Sequence, residues 1–249
     1  MRIAVLSDIH GNLDALQAVA ADLLSVRPDV VVNLGDSLSG PLLPLETARY
    51  LMARDWIQIA GNHERQLLED PRDALCPSDA YTLSRLGETE LRWIASLRRS
   101  AVLEEEIFLC HGRPSSDQDY LLESVGPDGV RPASAEEIEI RLGDLAAAAV
   151  LCGHSHLPRV AQSRWGQLII NPGSVGLQAY EDEYPVRHVI ENGSPEARYA
   201  VFEKRAGAWT ADLKTVAYDP EPMVRLAILR NRPDWAAALR AGRLNPAWA

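Results

Sequence analysis

The stretch Ile3-Ala4-Val5-Leu6-Ser7-Asp8-Ile9-His10-Gly11-Asn12 decides how the rest of the chain is interpreted. Its first four residues are apolar without polar alternation, which is typical of a strand covered on both faces. Side chains two positions apart on an extended chain point to the same side, so Asp8 and His10 are predicted to reach one point. Gly11 lets the backbone turn past that point. Asn12 is a candidate cap for a helix with apolar positions at Leu13, Leu16, Ala20 and Leu23.

The composition is that of a folded globular protein. The chain has 249 residues, of which 47% are hydrophobic and 24% charged, and this excludes disordered, collagen-like and membrane-spanning classes. The length suits one α/β domain over residues 1–249, with 220–249 as a peripheral helical extension. A lid or a dimer contact is the alternative role for that extension. The N-terminus has no secretion-signal pattern, which predicts a cytoplasmic protein.

Charge and cysteine content restrict the partners. The formal net charge of -10 disfavours binding to long nucleic acids, because that binding needs clustered Lys and Arg. Small anionic substrates stay open, since a bound metal ion can outweigh a global acidic excess. The three cysteines form no Cys-x-x-Cys pair, so we expect no disulfide framework. No membrane partner is expected, and a homo-oligomer is left open.

Further apolar runs end in polar residues in the same way as the first. We predict a strand at residues 29–32 that leads to Asp36, and one at 56–59 that leads to Asn62 and His63. A strand at 107–110 is followed by His111, and one at 149–152 by His154 and His156. Residues 113–132 have loop composition, with a short helix predicted at 119–124. Two edge strands are predicted at 198–202 and 209–216.

These strand ends collect the residue types that bind transition metals. Five of the six histidines follow apolar strands, together with two acids and one amide. Open α/β sheets bind ligands at the carboxyl ends of their strands, so the side chains are expected to converge. A mixed oxygen and nitrogen set without thiolate favours Mn²⁺, Fe²⁺, Zn²⁺, Ni²⁺ or Co²⁺ over Ca²⁺. The set is too large for one ion and suits a two-metal site, with ions roughly 3.5–4 Å apart.

The ordered set Asp-x-His, Gly-Asp, Gly-Asn-His-Glu, His-Gly and Gly-His-Ser-His, from Asp8 to His156, resembles the calcineurin-like metallophosphoesterase superfamily. Its short spacing is similar to the compact bacterial and archaeal phosphodiesterase-like branch. The resemblance implies a four-layer α-β-β-α sandwich of two mixed sheets flanked by helices, with a dinuclear metal site at the carboxyl ends of the strands. The residues after Asp36 lack the Asp-Arg-Gly continuation of Ser/Thr protein phosphatases, which disfavours that activity.

The resemblance also implies a role for each residue. Asp8, His10 and His156 would bind the first metal, Asn62, His111 and His154 the second, and Asp36 would bridge them, with Mn²⁺ the first expectation. His63 would protonate or stabilise the leaving oxygen after attack by a metal-bridging hydroxide. Asn12, at a helix N-terminus, and Arg113, a candidate bidentate donor, are further predicted phosphate-binding residues.

The predicted function is therefore metal-dependent hydrolysis of a phosphodiester bond in a small, nucleotide-like substrate. A phosphomonoesterase and a dinucleoside polyphosphate hydrolase are the nearest alternatives. An alternative from another class is a metal-binding interaction scaffold without catalysis. For Arg113, a solvated loop arginine is as good an interpretation as a phosphate ligand.

Overall fold

Two mixed five-stranded sheets form the centre of the fold in a computed structural model, which describes residues 1–205 and 207–244. With strands numbered in chain order, the first sheet runs β14 (Ala208–Val216), β13 (Ala197–Arg205), β1 (Arg2–Leu6), β2 (Val30–Asn33), β3 (Ile57–Gln58). The second sheet runs β4 (Ser100–Leu103), β5 (Ile107–Cys110), β8 (Ala149–Leu151), β10 (Leu168–Asn171), β9 (Arg159–Gln162). Strands β1, β2 and β3 are parallel to one another, as are β5, β8 and β10.

Two smaller hairpins and eight helices complete the described elements. The hairpins are β6 (Glu123–Gly126) with β7 (Gly129–Pro132), and β11 (Ala179–Asp182) with β12 (His188–Glu191). The helices are α1 (Leu13–Val26), α2 (Pro44–Met52), α3 (Asn62–Glu69), α4 (Pro77–Arg85), α5 (Glu88–Ser96), α6 (Ala135–Leu142), α7 (Glu221–Leu229) and α8 (Pro233–Ala241). None of the described helices combines the length and the apolar character that crossing a bilayer requires.

Alternation along β1 explains the layering. Ile3 and Val5 point into the core between the two sheets, where they join Leu109 of β5. The alternate residues Ala4 and Leu6 face the opposite way, toward α1, α2 and α5. Helix α6 covers the outer face of the second sheet through Ile138 and its neighbours. The predicted α-β-β-α arrangement of two mixed sheets is confirmed.

The C-terminal helices pack beside the strand ends. Trp235 and Leu239 of α8 belong to a buried apolar cluster with Leu42 and with Leu177, which lies just before β11. The cluster fixes α7 and α8 near the loops that follow β2 and β10. The predicted single domain over residues 1–249 stays a prediction, and the last five residues of that span lie outside the described residues.

Two sequence predictions of local structure are wrong. Residues 119–124 form no helix, because Leu121 and Leu122 are buried in the outer core and Glu123 already begins the antiparallel β6–β7 hairpin. The strand predicted at 198–202 is not an edge strand. It belongs to β13, which pairs with β14 on one side and with β1 on the other, where Phe202 lies opposite Ile3.

Candidate metal centre

The loops that follow the parallel strands bring the seven predicted metal ligands together. Each of them exposes 7% of its surface or less. They come from the ends of β1, β2, β5 and β8 and from the first turn of α3, and they are Asp8, His10, Asp36, Asn62, His111, His154 and His156. Six of them fall into two groups, within each of which the ligand atoms lie no more than 4.8 Å apart.

Asp8, His10 and His156 form the first ligand group. Nε2 of His10 lies 3.1 Å from Nε2 of His156, which in turn lies 3.5 Å from Oδ1 of Asp8. The Nδ1 atoms of His10 and His156 donate to the carbonyls of Ser39 and Leu177, both at 2.7 Å. Because a carbonyl can only accept, each histidine is left with an Nε2 lone pair that faces the group.

Asp36, His111 and His154 form the second ligand group. Nε2 of His111 lies 3.0 Å from Oδ2 of Asp36 and 3.1 Å from Oδ1 of Asn62. Nε2 of His154 donates to the carbonyl oxygen of Gln118 at 2.9 Å, so Nδ1 is the ring nitrogen that is left to bind a metal ion. Asn62 therefore lies at the second group although it is an amide.

Charge and burial act together on these side chains. Burial lowers the pKa of His111, but the carboxylate of Asp36 outweighs it and raises that pKa to about 9. Burial, followed by the neighbouring His156, lowers the pKa of His10 to about 3. For His154, burial and the charge of His111 lower the pKa to about 4. The lowered pKa values keep His10 and His154 neutral, which is the protonation state of a metal ligand, whereas His111 stays protonated beside Asp36 until a cation displaces its proton.

The residues fit bound divalent cations. Oδ1 of Asp8 is buried and has no hydrogen-bond partner, which is costly for a carboxylate oxygen unless a cation compensates it. The two Nε2 lone pairs of His10 and His156 face each other at 3.1 Å, and a cation between them would turn this repulsion into coordination. The donor set of carboxylate, imidazole and amide suits Mn²⁺, Fe²⁺, Co²⁺ or Zn²⁺.

Left-handed backbone at the ligands themselves turns these side chains inward. The φ angle is 57° at Asp8, 52° at His10 and 51° at Asp36. It is also positive at His154 and His156, at 68° and 58°. Such conformations are uncommon outside glycine and cluster at functional sites.

Close approach of the loops explains two glycines. A Cβ at Gly61 would lie 2.2 Å from Oδ1 of Asp36, and a Cβ at Gly153 would lie 2.0 Å from Oγ of Ser7. A side chain at either position would force two ligand loops apart. The loops after β1 and β2 are also joined directly, since the backbone N–H of His10 donates to the carbonyl of Asp36 at 3.0 Å.

Glu64 links the loops that carry Asp36 and Asn62. Its carboxylate is fully buried and accepts the backbone N–H groups of Asp36, Ser37 and Gly61, all at 2.8 Å. The sequence motif contains this residue, but the sequence alone gives it no role. In the structure it fixes the loop after β2 to the start of α3.

His63 lies beside the two groups, next to a carboxylate that sequence reasoning missed. Its Nδ1 is 3.0 Å from each carboxylate oxygen of Asp79, which belongs to α4, and its backbone N–H donates to Oδ1 of Asp36 at 3.0 Å. Burial lowers the pKa of His63, but Asp36 and Asp79 outweigh it and hold that pKa well above its usual value. No local sequence signal joins His63 to Asp79, because their contact depends on the packing of α3 against α4.

A cleft of about 430 Å³ opens over the centre. Its walls include Trp235 of α8, Tyr180 of β11 and Leu177. The ring of Trp235 lies edge-on to His10, with centroids 6.0 Å apart. Residues 220–249 were predicted only as a peripheral helical extension, and the place of Trp235 in this wall follows from the packing of α8.

The two predicted phosphate-binding residues lie away from the open face of the centre. Asn12 is fully buried, caps α1 through the N–H of Ala15 and donates to the carbonyl of Gly176. Arg113 is paired with Asp119 at 2.8 Å and is not among the cleft residues. Their phosphate-binding roles stay predictions.

Comparison with known proteins agrees with this geometry. Residues 1–192 match the model of the calcineurin-like phosphoesterase superfamily domain. Uncharacterized protein MJ0912 of Methanocaldococcus jannaschii is 26% identical over 248 residues, covering 94% of this chain and 94% of that protein. The crystal structure of a metallophosphoesterase from Sphaerobacter thermophilus is 24% identical with a TM-score of 0.75, over 98% of this chain and 100% of its own.

A second solved structure has the same fold. Hypothetical protein PH1004 from Pyrococcus horikoshii OT3 has a TM-score of 0.75 at 19% identity, over 98% of this chain and 99% of its own. The family model spans every predicted metal ligand from Asp8 to His156. Because that match also covers well over half of the sequence, the protein belongs to the calcineurin-like phosphoesterase superfamily.

Proposed function

We propose that the protein hydrolyses a phosphodiester bond in a small, nucleotide-like substrate with two divalent metal ions. The observation that carries the proposal is the position of His63. It lies beside two buried ligand groups, is oriented by Asp79 and borders a cleft large enough for a nucleotide. The free thiols of Cys76, Cys110 and Cys152 suit a reducing compartment, so the proposed location is the cytoplasm.

The ligand assignment follows the two groups. Asp8, His10 and His156 would hold one ion, and His111, His154 and Asn62 the other. Asp36 would bridge the two ions, because it lies between the two groups. Its carboxylate is 3.0 Å from His111, and its backbone carbonyl accepts a hydrogen bond from the N–H of His10. When bound, the ions supply Lewis acidity and lower the pKa of bound water, with Mn²⁺ the first candidate.

His63 is the proposed proton donor. Its Nδ1 is held by Asp79, so the opposite ring nitrogen is the atom available to the cleft. A proton there would pass to the oxygen of the departing group as the phosphorus–oxygen bond breaks. Asp79 acts as a positioning residue, because it fixes the ring and stabilises its positive charge.

The charges around the cleft favour a diester over more highly charged substrates. Beyond the ligands and Asp79, its lining includes four further carboxylates, which are Asp70, Glu181, Asp182 and Asp234. Arg232 is the one Lys or Arg among the described lining residues, and it is already paired with Asp234 at 2.6 Å. A phosphodiester carries one negative charge, whereas a polyphosphate chain would place several next to these carboxylates.

A substrate and metal screen tests the proposal. The protein is loaded separately with Mn²⁺, Fe²⁺, Ni²⁺, Co²⁺ and Zn²⁺ and assayed with bis-p-nitrophenyl phosphate, p-nitrophenyl phosphate and a dinucleoside tetraphosphate. We expect the diester to be hydrolysed with the highest kcat/KM. Faster hydrolysis of the monoester or the tetraphosphate would replace the proposed substrate class. Metal binding without any hydrolysis would favour a binding module.

Substitution His63→Ala tests the proton donor. We expect both metal ions to remain and turnover to fall by about 100- to 10,000-fold with an alkyl leaving group. The loss should be smaller with a p-nitrophenolate leaving group, which needs little protonation. Leu68→Ala, an exposed position on the same helix, is the matched control and should leave turnover unchanged. An equal loss with both leaving groups would remove the assigned role.

A further inference from the structure

A third cluster of metal-binding side chains lies in the wall of the same cleft. His63, Cys76 and Asp79 each present one ligand atom, all within 4.8 Å of one another. Nδ1 of His63 is 3.0 Å from Oδ2 of Asp79, and Sγ of Cys76 is 3.3 Å from the same oxygen. Among the described residues, this is the candidate ligand group that contains a sulfur.

We propose that His63, Cys76 and Asp79 form an inhibitory zinc site, separate from the two proposed catalytic ions. One thiolate, one imidazole and one carboxylate with an open fourth position make a Zn²⁺ site of three protein ligands. Tetrahedral zinc would separate such donor atoms by roughly 3.3–3.7 Å, so the two separations from Asp79 need only a small adjustment. Because Cys76 is exposed at the cleft, the ion has a path to the site.

The donor chemistry separates this site from the two oxygen and nitrogen groups. Thiolate is a soft ligand that prefers Zn²⁺ to Mn²⁺, whereas the ligand groups of the catalytic centre contain no sulfur. The thiolate and the carboxylate neutralise the two charges of the ion, so a filled third site adds little repulsion to the neighbouring cations. Cys110 and Cys152 are 3% and 1% exposed and lie in the outer core, away from the cleft.

The inhibitory part rests on the proposed function. Zinc bound at Nδ1 would replace the proton that His63 shares with Asp79 and would displace the proton of the Cys76 thiol to solvent. His63 would then be a neutral, zinc-bound imidazole, a much weaker acid than the imidazolium that Asp79 stabilises. The leaving oxygen would then face a much weaker proton donor while the two catalytic ions stayed in place.

Cobalt absorption tests the site without any assay of activity. The Mn²⁺-loaded protein is titrated with Co²⁺, and coordination by Cys76 should produce a thiolate-to-cobalt charge-transfer band. This band should saturate at about one equivalent and disappear when Zn²⁺ is added. Cys76→Ser should abolish the band. Serine is a preferred helix N-cap, so α4 keeps its cap, and Cys110 and Cys152 are unchanged in the variant. No band in the wild type, or an equal band in the variant, would overturn the site.

Zinc inhibition tests the regulatory part. We expect Cys76→Ser to keep the basal Mn²⁺-dependent turnover of the wild type. The Zn²⁺ concentration for half inhibition should rise by about 100-fold or more in the variant. Loss of a residue that only hydrogen-bonds a metal ligand already costs roughly 10- to 100-fold in metal affinity, and Cys76 would be a ligand itself. Equal inhibition of both proteins would overturn the inhibitory role. If no substrate were hydrolysed, the proposed function would fail, whereas the cobalt band would still decide the site.

Discussion

The core between the sheets and the candidate metal centre lie next to each other on the same strands, yet they differ in almost every physical property. Ile3 and Val5 of β1 are completely buried among apolar neighbours, in regular extended backbone. Three residues after Val5, Asp8 is also completely buried, but with a left-handed φ of 57° and a carboxylate oxygen without a partner. One strand therefore serves stability at one end and chemistry at the other.

The folding free energy comes from the apolar core and not from the candidate metal centre. Burial of apolar surface in the core stabilises the fold, while left-handed ligand residues cost of order 1 kcal/mol or more each. Buried carboxylates and imidazoles add a desolvation cost that only a cation or a well-placed partner offsets. We therefore expect substitutions in the two regions to have opposite effects on stability and on metal binding.

Removal of the Asp36 charge should give the largest effect. We expect Asp36→Asn to abolish hydrolysis and to weaken metal binding by more than about 100-fold. Loss of a residue that only hydrogen-bonds a metal ligand already costs roughly 10- to 100-fold in affinity. In the presence of a chelator, the free energy of unfolding of Asp36→Asn should stay close to that of the wild type, because loss of the ion pair with His111 and removal of a buried charge have opposite effects. Metal analysis after dialysis and urea unfolding measure the two effects. Full metal content in Asp36→Asn would show that the Asp36 carboxylate does not hold the ions.

A cavity in the core should produce the reverse pattern. Leu109 is fully buried between the sheets, so Leu109→Ala should lower the free energy of unfolding by about 2–5 kcal/mol. The folded variant should still bind as much metal as the wild type. Leu213→Ala, at a 38% exposed position on β14, is the control and should change stability by less than about 0.5 kcal/mol. Metal loss in Leu109→Ala at low temperature would show that the two regions are not independent.

Glu64→Gln should have the smallest effect of the three substitutions. It tests whether a residue that holds a ligand loop, without binding metal itself, contributes to metal affinity. The carboxylate of Glu64 accepts three backbone N–H groups, and the amide of glutamine would face some of them with its own donors. We expect a metal affinity lower by about 10- to 100-fold, as for other residues that orient ligands. A calorimetric titration with Mn²⁺ measures the change in metal affinity. Unchanged affinity would mean that the loop after β2 holds Asp36 without Glu64.

Sequence patterns were enough for the layers and for the convergence of the ligand residues. Apolar runs such as that of β1 mark buried strands, and parallel strands necessarily end at one edge of a sheet, so Asp8 and His154 were expected to meet. The fold class and the family are confirmed. Both results follow from regularities that act along a single segment or a single sheet.

The missed features depend on contacts between segments that no local pattern joins. Asp79 reaches His63, and Trp235 reaches the cleft, only because α4 and α8 pack where they do. The helix predicted at residues 119–124 failed for the same reason, since burial of Leu121 and Leu122 and pairing of β6 with β7 decide that segment. Tertiary contacts overrode local composition in each case.

Anomalous diffraction from crystals grown with Mn²⁺ tests the two-ion centre most directly. We expect two manganese peaks roughly 3.5–4 Å apart, as for a two-metal site. The carboxylate of Asp36 should lie between them, with Asp8, His10 and His156 around one peak and Asn62, His111 and His154 around the other. A single peak, or peaks that Asp36 does not contact, would contradict the two-ion centre.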